Sequence, residues 1–373
     1  VTSRKNKGNT NACGATPYFG FLHPMTRLFV HYAAMPIAAT LFQSIWKIRH
    51  TSKRCTLLLI GTAAKAGFQG LAGETAFIGL GIMGGSMASN LVRGGFPVTG
   101  YNRTAHRDTA VKAADSGVQL RGSPAQAVQG ADVVFLCLSD VPDIEEMLFG
   151  AGAVAANAKP GAIIVDMSTT GPACAKQLHR KLQKMGLRFL DAPVTGGDVG
   201  AREGTLTIMV GGAEDDFHQC HTRLAAMGKK IFYCGAPGSG QAVKLCNQIL
   251  CAVNLLAVCE AFQLADALQV DQRLVVDICQ TGAAGSWSLA NLGPRILKSD
   301  FTPGFKIKDM LKDLRLVQES ASGAGGNGSA ERLPATTLAD SLLRAPAALG
   351  DTGGGDRGTQ AMICSYRDRA GKH

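Results

Sequence analysis

The stretch "TAFIGLGIMGGSMASNLVRGGFPVTGYNRT" constrains the fold more than any other in the chain. It opens on a short apolar strand, Thr75 to Ile78, followed by Gly79, Gly81 and Gly84 at G-x-G-x-x-G spacing. A helical run from Ser86 to Arg93 then stops at Gly94-Gly95, and a second strand is due from Val98 to Tyr101. In a unit of this kind the first glycine makes a tight turn and the second lets a pyrophosphate approach the backbone. The third lets helix pack closely on strand. The helix N-terminus turns unpaired N–H groups toward the phosphates. Gly79, Leu80, Gly81, Ile82, Met83 and Gly84 are therefore the candidate dinucleotide cradle.

The end of the second strand selects the nicotinamide cofactor. An acid there would bind the ribose hydroxyls of NAD and repel a 2′-phosphate. The strand ends instead in Tyr101-Asn102-Arg103-Thr104, with no acid until Asp108. Arg103 can pair with a phosphate, and Asn102 and Thr104 can add hydrogen bonds. The reading prefers NADP(H) and leaves NAD(H) open.

Alternation of strand and helix continues through "ADVVFLCLSD" (131–140) and "GAIIVDMSTT" (161–170), which read as buried parallel strands. Ligands bind beyond the carboxyl ends of such strands, so Leu138, Ser139, Ser168 and Thr169 are expected to edge the nicotinamide pocket. "RFLDAPVTGG" and "TLTIMVGG" extend the sheet to about residue 235. Beyond residue 238 the strand signal stops, and helices are expected over 239–268, 271–281, 287–298, 306–320, 333–349 and 358–367. The expected class is α/β: an N-terminal Rossmann-type, doubly wound parallel sheet over 73–237. An all-helical domain for substrate binding and dimerisation follows over 238–373.

Charge bears on partners. The net charge of +10 suggests nucleic acid, but nine basic residues and no acidic ones precede Glu74, leaving 29 basic against 28 acidic in the rest. A neutral body offers no phosphate-tracking surface. Residues 1–72, basic, acid-free and rich in Ser, Thr and Ala, read as a targeting leader outside the fold. That places the protein in a chloroplast or mitochondrion; without such a leader it reads as cytoplasmic. The uncharged run 28–46 within it reads as interfacial or cleaved rather than spanning, and no membrane is expected for the body. Eleven cysteines are scattered with no C-x-x-C pair. Those in apolar runs (Cys137, Cys246, Cys251, Cys259, Cys279) read as small hydrophobes in a reducing compartment, against a disulfide framework or zinc site. "EDDFHQCH", with Asp215, His218 and His221, reads as a solvated helix face, so no metal is expected. "ASGAGGNGSAE" (321–331) reads as a flexible insertion.

One further segment is chemically odd. Between Lys230 and Glu260 the sole charged side chain is Lys244. Asn247, Gln248, Cys251 and Asn254 or Leu255 follow it at helical spacing, a stripe that suits the wall of a cleft between domains.

Four stretches carry a resemblance: "FIGLGIMGGSMASNL", "DMSTT", "DAPVTGGDVGAREGTL" and "GSGQAVKLCNQ". With these, residues 75 to 320 resemble the β-hydroxyacid dehydrogenases, a group that includes 3-hydroxyisobutyrate dehydrogenase and glyoxylate/succinic semialdehyde reductase. The resemblance implies reversible hydride transfer between NADP(H) and a small carboxylate bearing an aldehyde or alcohol. Lys244 matches the family's general acid/base, and Asn247 and Gln248 match amides that orient lysine and substrate. Thr195, Gly196 and Gly197 match the loop that holds the substrate carboxylate. Ser168 and Thr169 match a strand-end pair near substrate and nicotinamide, and Lys312 matches a lysine reaching the cofactor site. The expected partners are a small carboxylate and further copies of the chain, as a homo-dimer or homo-tetramer. Two rivals stand beside this reading. A 6-phosphogluconate dehydrogenase relative would carry His-Asn after the lysine, where this chain has Asn247-Gln248. A non-catalytic cofactor-binding scaffold would usually lack the lysine, which this chain keeps.

Overall fold

The structure, a computed structural model, describes residues 73–104, 106–323, 332–347 and 354–370. The expected leader and most of the 321–331 insertion lie outside the described residues. Residues Leu71–His373 form one compact unit.

Nine strands make one sheet: β1 (Thr75–Ile78), β2 (Val98–Tyr101), β3 (Gln119–Leu120), β4 (Val133–Leu136), β5 (Ile163–Asp166), β6 (Arg188–Asp191), β7 (Val194–Thr195), β8 (Leu206–Gly212) and β9 (Gly228–Gly235). Their spatial order is β3-β2-β1-β4-β5-β6-β8-β7, with β9 on β8. The six strands from β3 to β6 are parallel throughout. The central strands β1, β4 and β5 are short, buried throughout and mostly apolar because helices cover both faces. Alternate residues feed opposite cores. Phe77, Phe135 and Val165 pack with Met87 and Leu91 on one face, while Ile78, Val134, Leu136 and Ile164 pack with Ile144, Leu178 and Leu182 on the other.

The sheet departs from the all-parallel expectation at β8, which runs antiparallel to β6 and β7. After β6 the chain turns through β7 and one short helix, Gly197–Glu203, before returning as β8. A reversal needs only a short connection, whereas a parallel neighbour needs a crossover of a dozen or more residues.

Beyond the sheet the chain is helical. The 29-residue helix Ser239–Ala267 leads into Gln272–Cys279, a π-helical turn at Ser288–Leu292 that passes into Gly293–Leu297, then Ile307–Gly323 and Pro334–Ala347. The expected final helix is a 3-10 turn, Thr359–Ile363, continued by Cys364–Ala370. Leu255, Cys259, Phe262, Ile296, Ile307, Leu314, Leu342 and Leu343 form the core of this half. A smaller cluster joins the halves: Leu245, Leu316 and Val317 pack with Val141 from the sheet side. Of the five cysteines read as hydrophobes, Cys259 is buried but Cys246 is exposed. Cys246 lies on the outer side of the long helix, between exposed Val243 and Leu250.

Candidate active site

The carboxyl ends of β1, β2, β4, β5 and β6 converge on one edge. Behind β1, Gly81 caps the twelve-residue helix Ile82–Arg93 without a side-chain bond, and no acid lies in its first turn. A Cβ on Gly84 would overlap the Gly79 carbonyl oxygen, so this position demands glycine. A Cβ on Gly81 would meet open space, which leaves room above the loop for a ligand. Unpaired N–H groups, open space and the absence of acid together fit a pyrophosphate.

Of the residues expected at the ribose, the three are placed differently. The Asn102 Oδ1 accepts from the Leu80 N–H (3.0 Å), and its amide donates to the Thr104 carbonyl (2.7 Å). Asn102 thus holds the glycine turn to the end of β2. Thr104 is exposed. Arg103 projects into solvent and meets Asp143 at 3.2 Å.

At the ends of β4 and β5, the Ser168 hydroxyl accepts from the Leu138 N–H at 2.9 Å. Ser168 is buried, so its side chain ties two strand ends together rather than edging the cleft. Ser139 is exposed and Thr169 half-buried, with the Thr169 carbonyl accepting from Lys312 Nζ at 2.8 Å.

Beneath these loops two buried carboxylates lie side by side, Asp166 and Asp191, paired in register on β5 and β6. Asp166 accepts from the Ser168 N–H (2.9 Å) and the Thr170 hydroxyl (3.3 Å). Asp191 accepts from the N–H groups of Gly238 (2.7 Å) and Gln241 (2.9 Å), so it seats the start of the long helix. A Cβ on Gly240 would overlap the Met209 carbonyl oxygen, and glycine there lets the helix sit directly on the sheet. Gln241 bridges both supports. Its Oε1 accepts from Thr170 and Gly171 N–H at 2.9 and 3.1 Å, and its Nε2 donates to the Ser168 carbonyl at 2.8 Å.

Burial raises the Asp166 pKa to about 6, aided by the Asp191 carboxylate and opposed by hydrogen bonds from Ser168 and Thr170. Asp191 is raised for the same leading reason. Between roughly pH 4 and pH 6 the folded protein keeps a proton on Asp166 that the unfolded chain, near its ordinary carboxylate value, has released. Stability from this group is therefore lost as pH rises through that window. An Asp166→Asn variant lacks the titration, and from pH 4 to pH 7 its unfolding free energy should gain about 2–3 kcal/mol on the wild type. Urea unfolding at both pH values measures it; a difference that does not change with pH would overturn the assignment.

One turn beyond Gln241, Lys244 is 8% exposed and donates to the Val194 carbonyl at 2.8 Å. That carbonyl opens the Thr195-Gly196-Gly197 turn, in which both glycines are exposed. Burial lowers the Lys244 pKa; Asp313 and Cys251 oppose this, and Lys312 adds to it. Asn247 does not reach the lysine: its amide donates to Gln248 Oε1 (2.8 Å) and Cys251 Sγ (3.4 Å). Gln248 turns to Asp313, donating at 2.5 Å, and Lys312 lies 2.7 Å from the same carboxylate. Lys244, Gln248 and Asp313 are buried with half-buried Lys312 beside them, and Lys244 reaches the start of the Thr195–Gly197 turn.

Asp166, Asp191, Gln241 and Asp313 were not among the residues expected from sequence. The two aspartates had a usable signal, an acid ending each of the buried strands "IIVD" and "RFLD". Gln241 and Asp313 had none stronger than their place beside Lys244 and Lys312.

A dinucleotide cradle at a parallel sheet edge, closed by a helical half that carries a buried lysine, defines an NAD(P)-dependent oxidoreductase. Residues 74–235 match the model of the NAD-binding domain of 6-phosphogluconate dehydrogenase. Residues 238–366 match that described as NAD-binding of NADP-dependent 3-hydroxyisobutyrate dehydrogenase. An uncharacterised oxidoreductase of Synechocystis is 50% identical over 295 residues, 79% of this chain and 98% of that protein. The 2-hydroxy-3-oxopropionate reductase of Escherichia coli is 38% identical, over 74% of this chain and 92% of its own. The 3-hydroxyisobutyrate dehydrogenase of Mycobacterium tuberculosis, solved with L-serine, superposes with a TM-score of 0.70 at 32% identity, covering 79% of this chain and 99% of that one. The chain belongs to the β-hydroxyacid dehydrogenase family.

Proposed function

We propose that the protein interconverts a small β-hydroxy acid and its semialdehyde, prefers NADP(H) over NAD(H), and uses Lys244 as general acid and base. The observation that carries the reading is the buried Lys244 ammonium held against the Thr195–Gly197 turn. The named relatives support the substrate class, since 2-hydroxy-3-oxopropionate is a carboxylate with an adjacent hydroxyl and an aldehyde, and L-serine is a β-hydroxy acid.

When bound, the nicotinamide supplies or accepts the hydride. The glycine turn of residues 79–84 and the helix behind it hold the pyrophosphate, and Arg103 faces the 2′-phosphate. The Thr195 hydroxyl and the N–H groups of Gly196 and Gly197 hold the substrate carboxylate. Lys244 then delivers its Nζ proton to the carbonyl oxygen in reduction and takes it back in oxidation. Burial makes that proton easier to release, and Asp313 opposes the effect. Gln248 and Lys312 fix the Asp313 carboxylate, so they act on Lys244 through it.

The experiment is a panel of NADPH oxidation with methylmalonate, succinic and tartronate semialdehydes and with glyoxylate. At least one should turn over, and the matching aldehydes without a carboxylate should turn over at least tenfold more slowly, because a buried-site charged hydrogen bond contributes about 1.5–3 kcal/mol. Equal rates with and without the carboxylate would overturn the role of the Thr195–Gly197 turn.

A further inference from the structure

We propose that Asp143 is a specificity-determining residue of the cofactor site, an acid that reaches the ribose end from the opposite side of the glycine turn and restrains the preference for a 2′-phosphate. This rests on the reading of residues 102–104 as the ribose end of the cleft. Discrimination at that end is ordinarily set by the residue closing β2, and this chain places no acid there. The acid comes instead from β4's side of the sheet. Asp143 lies in the first turn of the helix Val141–Phe149, and its carboxylate meets Arg103 Nη1 at 3.2 Å. In the sheet β1 lies between β2 and β4, so this pair joins the loop after β2 to the helix after β4, across the glycine turn that follows β1.

The placement of Asp143 is set by a second contact. Asp140, the N-cap of the same helix, accepts from the Val141 N–H at 2.7 Å. Its two oxygens also accept from Arg315 Nη2 at 3.0 Å each, which ties the start of this helix to the helical half. Arg103, by contrast, stands on an exposed loop with a side chain 75% exposed.

A phosphate that engages Arg103 must take the guanidinium from Asp143 and then sit within a few ångströms of that carboxylate. A 2′-phosphate carries close to two negative charges at neutral pH, so the repulsion falls on NADPH and not on NADH. Opening the exposed ion pair itself contributes little, as exposed pairs do, so the repulsion between the two anions is the larger effect. Asp143 therefore acts on the ratio of the two affinities. The result is a site that holds NADPH more loosely than Arg103 alone would allow and keeps NADH within reach.

The test titrates the full chain with NADPH and with NADH, following nicotinamide fluorescence, for wild type, Asp143→Asn and Arg103→Ala. Both substitutions are at exposed or half-exposed positions outside the cores. Asp143→Asn should tighten NADPH by about three- to thirtyfold and NADH by less than about threefold, raising the NADPH/NADH ratio. Arg103→Ala should weaken NADPH by about tenfold or more and leave NADH nearly unchanged. If Arg103→Ala behaves so while Asp143→Asn leaves the ratio unchanged or lowers it, the assignment of Asp143 is overturned and the ribose reading stands. If Arg103→Ala weakens both cofactors equally, the ribose reading fails and the assignment fails with it.

Discussion

Replacing Lys244 with methionine is expected to lower turnover by about 10²–10⁴, the usual weight of one acid–base group, and to leave NADPH affinity nearly unchanged. The thermal midpoint should hold or rise. An ammonium this deeply buried is disfavoured by desolvation, which is why its pKa is depressed, and Asp313 offsets only part of that. Methionine fills similar volume without the charge. The hydrogen bond to the Val194 carbonyl is lost, at about 1–3 kcal/mol, against relief of the desolvation. Active sites commonly hold such a stability–activity trade. Stopped-flow turnover, cofactor titration and calorimetry on the same preparation separate the effects. A variant that keeps full turnover would remove Lys244 from the mechanism, and a loss accompanied by a lower midpoint would trace the defect to folding.

The second large effect is structural. Gln241 is fully buried and satisfies three backbone groups of one strand-end loop, the N–H groups of Thr170 and Gly171 and the Ser168 carbonyl. Leucine at this position fits the space and leaves all three without partners. Each buried unsatisfied group costs about 1–3 kcal/mol, so Gln241→Leu should destabilise by about 3–9 kcal/mol. For a chain of this size that lowers the thermal midpoint by roughly 10 °C. Gln241→Glu keeps an acceptor for the two N–H groups. It loses the donor to Ser168 and brings a third carboxylate toward Asp166 and Asp191, so it too should be destabilised at neutral pH and less so at pH 5. Calorimetry at the two pH values reads both variants; a loss below about 1 kcal/mol for leucine would show that the clamp is dispensable.

The parts of the fold that were legible in sequence are those with a local cause. Strands β1 and β2 are legible to the residue, because each is a short run without charge and the glycine turn dates the helix between them. Lys244 stood out because a lone charge in an apolar helix is itself a local signal. The direction of β8 was not legible, since β-propensity says nothing of parallel or antiparallel pairing. Neither are the roles of Asp191 and Gln241, whose partners lie 47 to 73 residues away in the chain and leave no spacing to read. Sequence places Ser168 and Asn102 at the cleft, and in the structure both side chains accept from backbone N–H groups. Residue type identified them as hydrogen-bonding groups; which neighbour they bond depends on how the strand ends turn.

The long helix Ser239–Ala267 begins on the sheet and ends in the helical core. Its seat, Gly238 to Gln241 on Asp191, comes before Lys244, and the residues that build the helical core, from Ala252 onward, come after it. The Lys244 ammonium is therefore indexed to the sheet half, although the polypeptide that carries it continues as the backbone of the other half. Changes among the distal helices can therefore reshape the far half while the Lys244 side chain stays referenced to the sheet, through a seat barely one helical turn upstream.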